Sequence, residues 1–297
     1  MTESRVTGAG PLCLIDTHAH LQIDDYDGDR ADVLLRQRTG IFPAVSGRSI
    51  DVDAGQVQLA AALVPGIDLA TSELGLALAR GNPGIFAAVG VHPNHAGQAE
   101  EGDWERIVAL AGEPDVVAVG ETGLDRHWDT VPFEVQVDWF RRHLALARRL
   151  RLPVIIHCRE AEGDLMPILR AEVALGKSSG EALFGVIHSF SGDRDMAEEA
   201  VALGFYLGFS GPVTYTNRKF SGVWDAARSV AEDRILLETD APFLIPHPFR
   251  GRLERNEPLM AIFTARRLAE LRGVTTRELL MQTSQNALRL FSRMRTS

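Results

Sequence analysis

The sequence predicts a single-domain α/β protein, a (β/α)8 barrel of the metal-dependent hydrolase type over residues 1–297 with its motif-bearing core at about 12–291. Three observations carry this expectation. Eight short apolar runs recur over roughly 225 residues, about 32 per interval, the size of one strand and its crossover helix. The runs are nearly continuous rather than alternating, as in strands buried on both faces. Helical patterns lie between them, and the first run is not followed by the Gly-rich phosphate turn that marks the rival open doubly wound sheet.

In chain order the expected strands are Leu12–Ile15, Ile41–Val45, Ile85–Val91, Val116–Val119, Val154–Ile156, Phe184–Ile187, Phe205–Phe209 and Ile235–Leu237. The clearest helix follows the fourth. Phe133, Val137, Phe140, Leu144 and Ala147 step by four, three, four and three, while Glu134, Asp138, Arg141 and Arg148 take the other faces. Shorter helical patterns cover Met196–Leu203 and Trp224–Ala231, and two helices close the chain near Pro258–Leu271 and Thr276–Phe291.

Composition narrows the function classes. With 45% hydrophobic and 24% charged residues the chain is too apolar for disorder, and its charges interrupt every stretch long enough to span a membrane. Met1–Gly10 lacks the apolar segment of a secretion signal, and the two cysteines, Cys13 and Cys158, cannot form a disulfide scaffold. A cytoplasmic location is therefore expected. The net charge of −9 argues against a surface built throughout for nucleic acid. It still permits an enzyme that holds one phosphodiester at a metal inside an acidic body.

Barrel enzymes carry their active sites at the C-terminal ends of strands. Those ends read Asp16-Thr-His18-Ala-His20, Val91-His92-Pro93, Gly120-Glu121-Thr-Gly123-Leu-Asp125, His157-Cys-Arg159, His188-Ser-Phe-Ser191-Gly192 and Glu238-Thr-Asp240. Five of the nine histidines, His18, His20, His92, His157 and His188, occupy these positions. His18 and His20 are two apart on an extended segment, so both imidazoles leave on one side and can chelate one ion. Two further histidines and two carboxylates complete enough donors for two divalent metals. The only lysines, Lys177 and Lys219, lie away from the strand ends, so no carboxylated lysine can bridge the metals. A carboxylate must do so, and Glu121 is placed for it. Asp240 ends the last strand, where it could accept a proton from an activated water.

The segments Ile15-Asp-Thr-His-Ala-His20, Gly120-Glu-Thr-Gly-Leu-Asp125, Ile156-His-Cys-Arg159, His188-Ser-Phe-Ser-Gly192, Glu238-Thr-Asp-Ala-Pro242 and Asn256-Glu-Pro258 resemble the TatD family of metal-dependent deoxyribonucleases, within the amidohydrolase-like barrels. The likeness runs in order from about residue 14 to 291. It implies His18, His20, Glu121 and Asp240 around one metal, and Glu121, His157 and His188 around the other. It also implies Mg for activity, although the donor set accepts Zn, Mn, Fe or Ni. Departures from the family pattern are Gln22 for an Asp, Arg126-His127-Trp128 for aromatics, a longer segment between Gly47 and Thr71, and a longer Arg250–Pro258 stretch without its Lys. None touches a proposed ligand, and all bear on the substrate cleft.

Four residues are candidate phosphate contacts. His92 contacts phosphate on the resemblance, against a structural role as a loop tie. Arg159 is either a two-point phosphate clamp or the ion-pair partner of Glu121 or Asp125. Arg250 and Arg252 either reach phosphate or sit in a solvated loop. Trp128, Phe190 and Phe243 flank the motifs and either stack bases or pack loops. Cys158 is expected to pack behind its strand, and His143 to lie on a helix surface. Gly176-Lys-Ser178 lacks the first Gly of a phosphate loop, and Ser191 and Ser210 lie in no Gly-x-Ser-x-Gly elbow.

The reading is a metal-dependent hydrolase, in particular a 3'-5' exonuclease-like deoxyribonuclease. Its substrate would be single-stranded or terminal DNA, with two metals activating the attacking water. The alternative is an amide, ester or lactone hydrolase with the same metal site. No membrane association and no stable protein partner are expected.

Overall fold

The computed structural model describes residues 12–42 and 57–294. Eight parallel strands form one sheet in sequential order: β1 (Leu12–Asp16), β2 (Val57–Pro65), β3 (Ile85–Val89), β4 (Val116–Asp125), β5 (Val154–Arg159), β6 (Gly185–Ile187), β7 (Tyr206–Phe209) and β8 (Ile235–Leu237). Helices α1 (Arg30–Thr39) to α7 (Ser221–Ser229) alternate with them, and α8 (Ala261–Arg272) and α9 (Thr276–Leu290) close the chain. This is the expected (β/α)8 barrel. Among the described residues no helix is long and apolar enough to cross a membrane.

Strand periodicity sorts the core into two layers. Ile15, Leu63, Ala88, Ile155, Val186, Tyr206 and Leu236 cluster inside the barrel with Leu290, Phe291 and Met294, so the last helix plugs the bottom. Their neighbours Leu14, Val89, Val154, Ile156, Leu207 and Leu237 pack outward against the helices, together with Phe140 and Leu144 of α4 (Phe133–Leu150). Continuing the alternation up β5 turns His157 inward and Cys158 outward, where Cys158 joins the helix-facing layer.

Two expectations are corrected. The second strand is Val57–Pro65, not Ile41–Val45; Ile41 and Phe42 lie outside any strand, and residues 43–45 lie outside the described residues. The true strand was obscured by Ala60, Ala61 and Ala62, which carry little strand propensity and are held there by burial between neighbours. Likewise His143 is fully buried rather than on a helix surface. Its Nε2 accepts from the Val91 amide at 3.1 Å and its Nδ1 donates to the Trp139 carbonyl at 2.7 Å. Burial pushes its pKa down to about 4, and two satisfied nitrogens make a neutral imidazole tolerable in the core. The long segment expected after Gly47 falls partly on residues 47–56, outside the described residues.

The first and last strands meet above their regular ends. Thr17 donates from its amide to Leu237 O at 3.0 Å, Asp240 to His18 O at 2.8 Å and His20 to Ala241 O at 2.7 Å. The buried Asp16 carboxylate reinforces this seam by accepting from the His18 and Thr239 amides at 3.1 and 3.0 Å and from the Thr239 hydroxyl at 2.5 Å. Asn256-Glu257-Pro258 straps it from outside. Asn256 Nδ2 donates to Thr239 O and Phe243 O, while the buried Glu257 accepts from Arg36 and Gln37 of α1. That motif therefore holds structure rather than reaching into the barrel.

Candidate metal centre at the barrel mouth

The backbone seam sets His18 and His20 beside Asp240, and β4 brings Glu121 beneath them. His18 Nε2 lies 3.2 Å from His20 Nε2, 3.2 Å from Glu121 Oε2 and 3.7 Å from Asp240 Oδ1. The His20 Nε2 atom is 3.6 and 3.5 Å from the same two oxygens. The second Glu121 oxygen faces a different set: His188 Nε2 at 2.7 Å, His157 Nδ1 at 3.1 Å and His92 Nε2 at 3.6 Å. One carboxylate thus has an oxygen in each of two clusters.

Hydrogen bonds behind the rings orient them. His20 Nδ1 lies 3.2 Å from the Pro65 carbonyl, which can only accept, so His20 Nε2 presents a lone pair. His157 Nε2 lies 3.0 Å from Asp125 Oδ2, which leaves Nδ1 as the inward atom. Asp125 is itself held by Asn94 Nδ2 at 3.0 Å and by the amides of His127 and Trp128. Although burial opposes charge, the bonds to Asp125 and Glu121 hold the His157 pKa up at about 9. Behind His188, the buried Glu238 accepts from the Ser189 amide and lies 3.8 Å from His188 Nδ1. Burial pushes Glu238 well above the usual carboxylate range.

His92 differs. Its Nδ1 accepts from the Asn94 amide at 3.1 Å, so Nε2 carries the proton and points an N–H at Glu121. With that tautomer His92 faces Glu121 as a donor.

Lone pairs of the His20 ring and of two carboxylates converge within 4 Å of His18 Nε2. Such crowding is repulsive unless a cation or shared protons lie among the atoms. Buried imidazole nitrogens with shared carboxylate oxygens are the donors that borderline divalent ions take. Among the described residues three overlapping groups could hold an ion: His18, His20 and Glu121; His18, His188 and Asp240; and His92, Glu121 and His157.

The cationic candidates lie farther out. Arg159, in register with Asp125, is exposed and sits 5.8 Å from the Trp128 ring rather than pairing with Glu121 or Asp125. Asp125 is taken by His157, so that alternative pairing is corrected. Arg250 lies 4.7 Å over Tyr215, and Arg252 is exposed in the same loop. Trp128 and Phe243 are half exposed at the mouth, whereas Phe190 is buried against Phe209 and packs the core. Sequence reasoning left Asp125, Asn94, Asp16 and Glu238 without roles at the centre. Only Asp125, Asp16 and Glu238 carried any signal, lying inside the motif segments.

Asp125→Asn removes the acceptor charge behind His157. The expected result is a 10- to 100-fold weaker metal affinity with the fold retained, read by titrating metal into the chelator-treated protein. Unchanged affinity would show that the Asp125 charge does not support metal binding through His157.

A parallel (β/α)8 barrel with clustered imidazoles and carboxylates at its C-terminal mouth defines a metal-dependent hydrolase. The chain belongs to the TatD family, since the TatD related DNase model matches residues 15–292. It is 38% identical over 278 residues to an uncharacterized metal-dependent hydrolase, YabD, of Bacillus subtilis, covering 94% of this chain and 98% of that one. It is 34% identical to a protein of Pantoea vagans named 3'-5' ssDNA/RNA exonuclease TatD, covering 94% and 99%. Among solved structures, the TatD homologue YjjV of Escherichia coli superposes with a TM-score of 0.79 at 31% identity, covering 94% of this chain and 98% of that one.

Proposed function

We propose that this protein is a cytoplasmic deoxyribonuclease that removes nucleotides from single-stranded or terminal DNA in the 3'-5' direction, using two divalent ions. The observation that carries the reading is Glu121, whose two oxygens each face a separate histidine set. The polarity and the nucleic-acid substrate follow the exonuclease name of the Pantoea vagans relative.

Ions bound there would supply Lewis acidity, orienting the phosphate and lowering the pKa of an attacking water. Glu121 ties the two ligand sets into one rigid unit. Asp240, its side chain 14% exposed, is the ligand-set carboxylate open to the mouth and takes the proton released by the attacking water. His92 presents Nε2–H toward the centre, where it donates to a non-bridging phosphate oxygen. Arg159 makes no carboxylate pair among the described residues and neutralises the charge that grows on the same group. Arg250 and Arg252 guide the polyanion at the rim.

The test is release of labelled nucleotides from end-labelled single-stranded DNA, with Mg, Mn, Zn, Fe or Ni supplied in turn and a chelator control. Metal-dependent release is expected, with the label position giving polarity. Absence of release by folded, metal-loaded protein, with turnover of a neutral ester or amide, would instead favour the carbon-centred hydrolase.

A further inference from the structure

A groove of about 430 Å3 runs down the outside of the barrel from the loops after β7 and β8, between α7 and α8. Its walls combine three aromatic rings with cations. Trp224 of α7 lies 5.7 Å from the Arg267 guanidinium, and Phe263 of α8 lies 5.5 Å from that of Arg266. Tyr215 stands at the upper end beneath Arg250 and meets Phe220 edge-on at 5.2 Å, with the Lys219 ammonium 5.1 Å from that ring.

The charge balance of this face is opposite to that of the molecule. The chain carries −9 overall, and several cations on other helices are paired, such as Arg80 with Glu113, Arg106 with Glu73 and Arg170 with Glu199. Arg266 in its wall, and Arg218, Lys219 and Arg250 in the adjoining segments, make no ion pair among the described residues. Only Arg267 is paired, with Glu270 at 2.7 Å. The upper lip of the groove is tied to the loop that leaves Asp240. The His247 amide donates to Thr214 Oγ1 at 2.8 Å and the Tyr215 hydroxyl to Ile245 O at 3.1 Å.

Alternating rings and unpaired cations suit a flexible polyanion whose units carry a flat face, and a volume of this size admits a nucleotide. We propose that this groove is an accessory subsite for single-stranded polynucleotide, holding the stretch of strand that extends away from the bond being cut. The proposal rests on the nuclease reading and adds to it a dependence on strand length. A trinucleotide ends near the mouth, whereas a strand of about twelve residues reaches the groove.

The experiment compares the metal-loaded wild type with a variant carrying Arg218→Ala, Lys219→Ala and Arg266→Ala, checked for folding by thermal unfolding. Fluorescent dT3 and dT12 serve as substrates and, with phosphorothioate linkages, as binding probes. In the variant, the ratio of kcat/KM for dT12 to that for dT3 is expected to fall about tenfold, mainly through KM. The slope of log affinity for dT12 against log salt should become shallower by about 2, near 0.7 per lost cation on a single strand. An unchanged ratio and slope, with the wild type still cleaving DNA, would overturn the subsite and leave the nuclease reading intact. If the wild type neither binds nor cleaves either oligonucleotide, the nuclease reading fails and the subsite with it. Poly-glutamate bound as tightly as dT12, and lost equally in the variant, would overturn the subsite in favour of a general anion-binding face.

Discussion

Asp240→Asn is expected to lower kcat about 10^2- to 10^4-fold, the range for removal of a positioned proton acceptor. The substitution is chosen for what it preserves. Asp240 has φ of +57°, a conformation that Asn adopts more readily than other replacements. Its amide hydrogen bond to His18 O belongs to the backbone and persists. The change therefore takes away charge and basicity at Oδ1 while leaving the seam closed. Turnover of the labelled strand and bound metal, measured by elemental analysis, should fall, while the unfolding temperature of the chelator-treated variant should match that of chelator-treated wild type. Near-normal turnover would remove Asp240 from the reaction altogether.

The largest expected effect on the fold comes from Gly123→Ala. Gly123 has φ of +150°, where side chains are strained, and it pairs with His157 across β4 and β5. A Cβ there would overlap the His157 carbonyl, a backbone atom that cannot move aside without shifting the strand. A loss on the order of 3 kcal/mol is expected by denaturant unfolding, since strain and a backbone clash add. Gly163→Ala is the control. Nothing lies within 4 Å of its would-be Cβ, and it should stay within about 1 kcal/mol of wild type. Equal stability of the two variants would mean that β4 can move away from β5, and that His157 is less firmly placed than its register implies.

The barrel was legible because strands buried on both faces must be apolar throughout, so Val154–Ile156 or Ile235–Leu237 could hardly be anything else. Legibility failed where function or small residues replaced that signal. The β4 strand continues through Gly120, Glu121, Thr122 and Gly123 to Asp125, and these polar and glycine positions look like a loop until the neighbouring strand is seen. The true β2 was hidden by its alanines. At the mouth, the pairing of His18 with His20 could be argued from a two-residue spacing. The groups that orient the rings could not, because Pro65 reaches His20 from 45 positions away and Asp125 reaches His157 from 32. Burial of His143 depended on a backbone amide just beyond β3, 52 residues distant, which no helical periodicity reveals.

The seam between the ends of the chain gives the barrel a further property. Its closing contacts, from Asp16 through His18 and His20 to Asp240 and Ala241, are formed by the same short segments whose side chains compose one ligand cluster. An ion held by His18, His20 and Asp240 together would act as a clasp joining the opening and final strands. Loading and closure then become linked equilibria: whatever binds the closed ring resists its opening by the logarithm of its saturation. The mouth is in this sense also a lock, and depletion of its ion would loosen the barrel first along the edge where its two terminal strands meet.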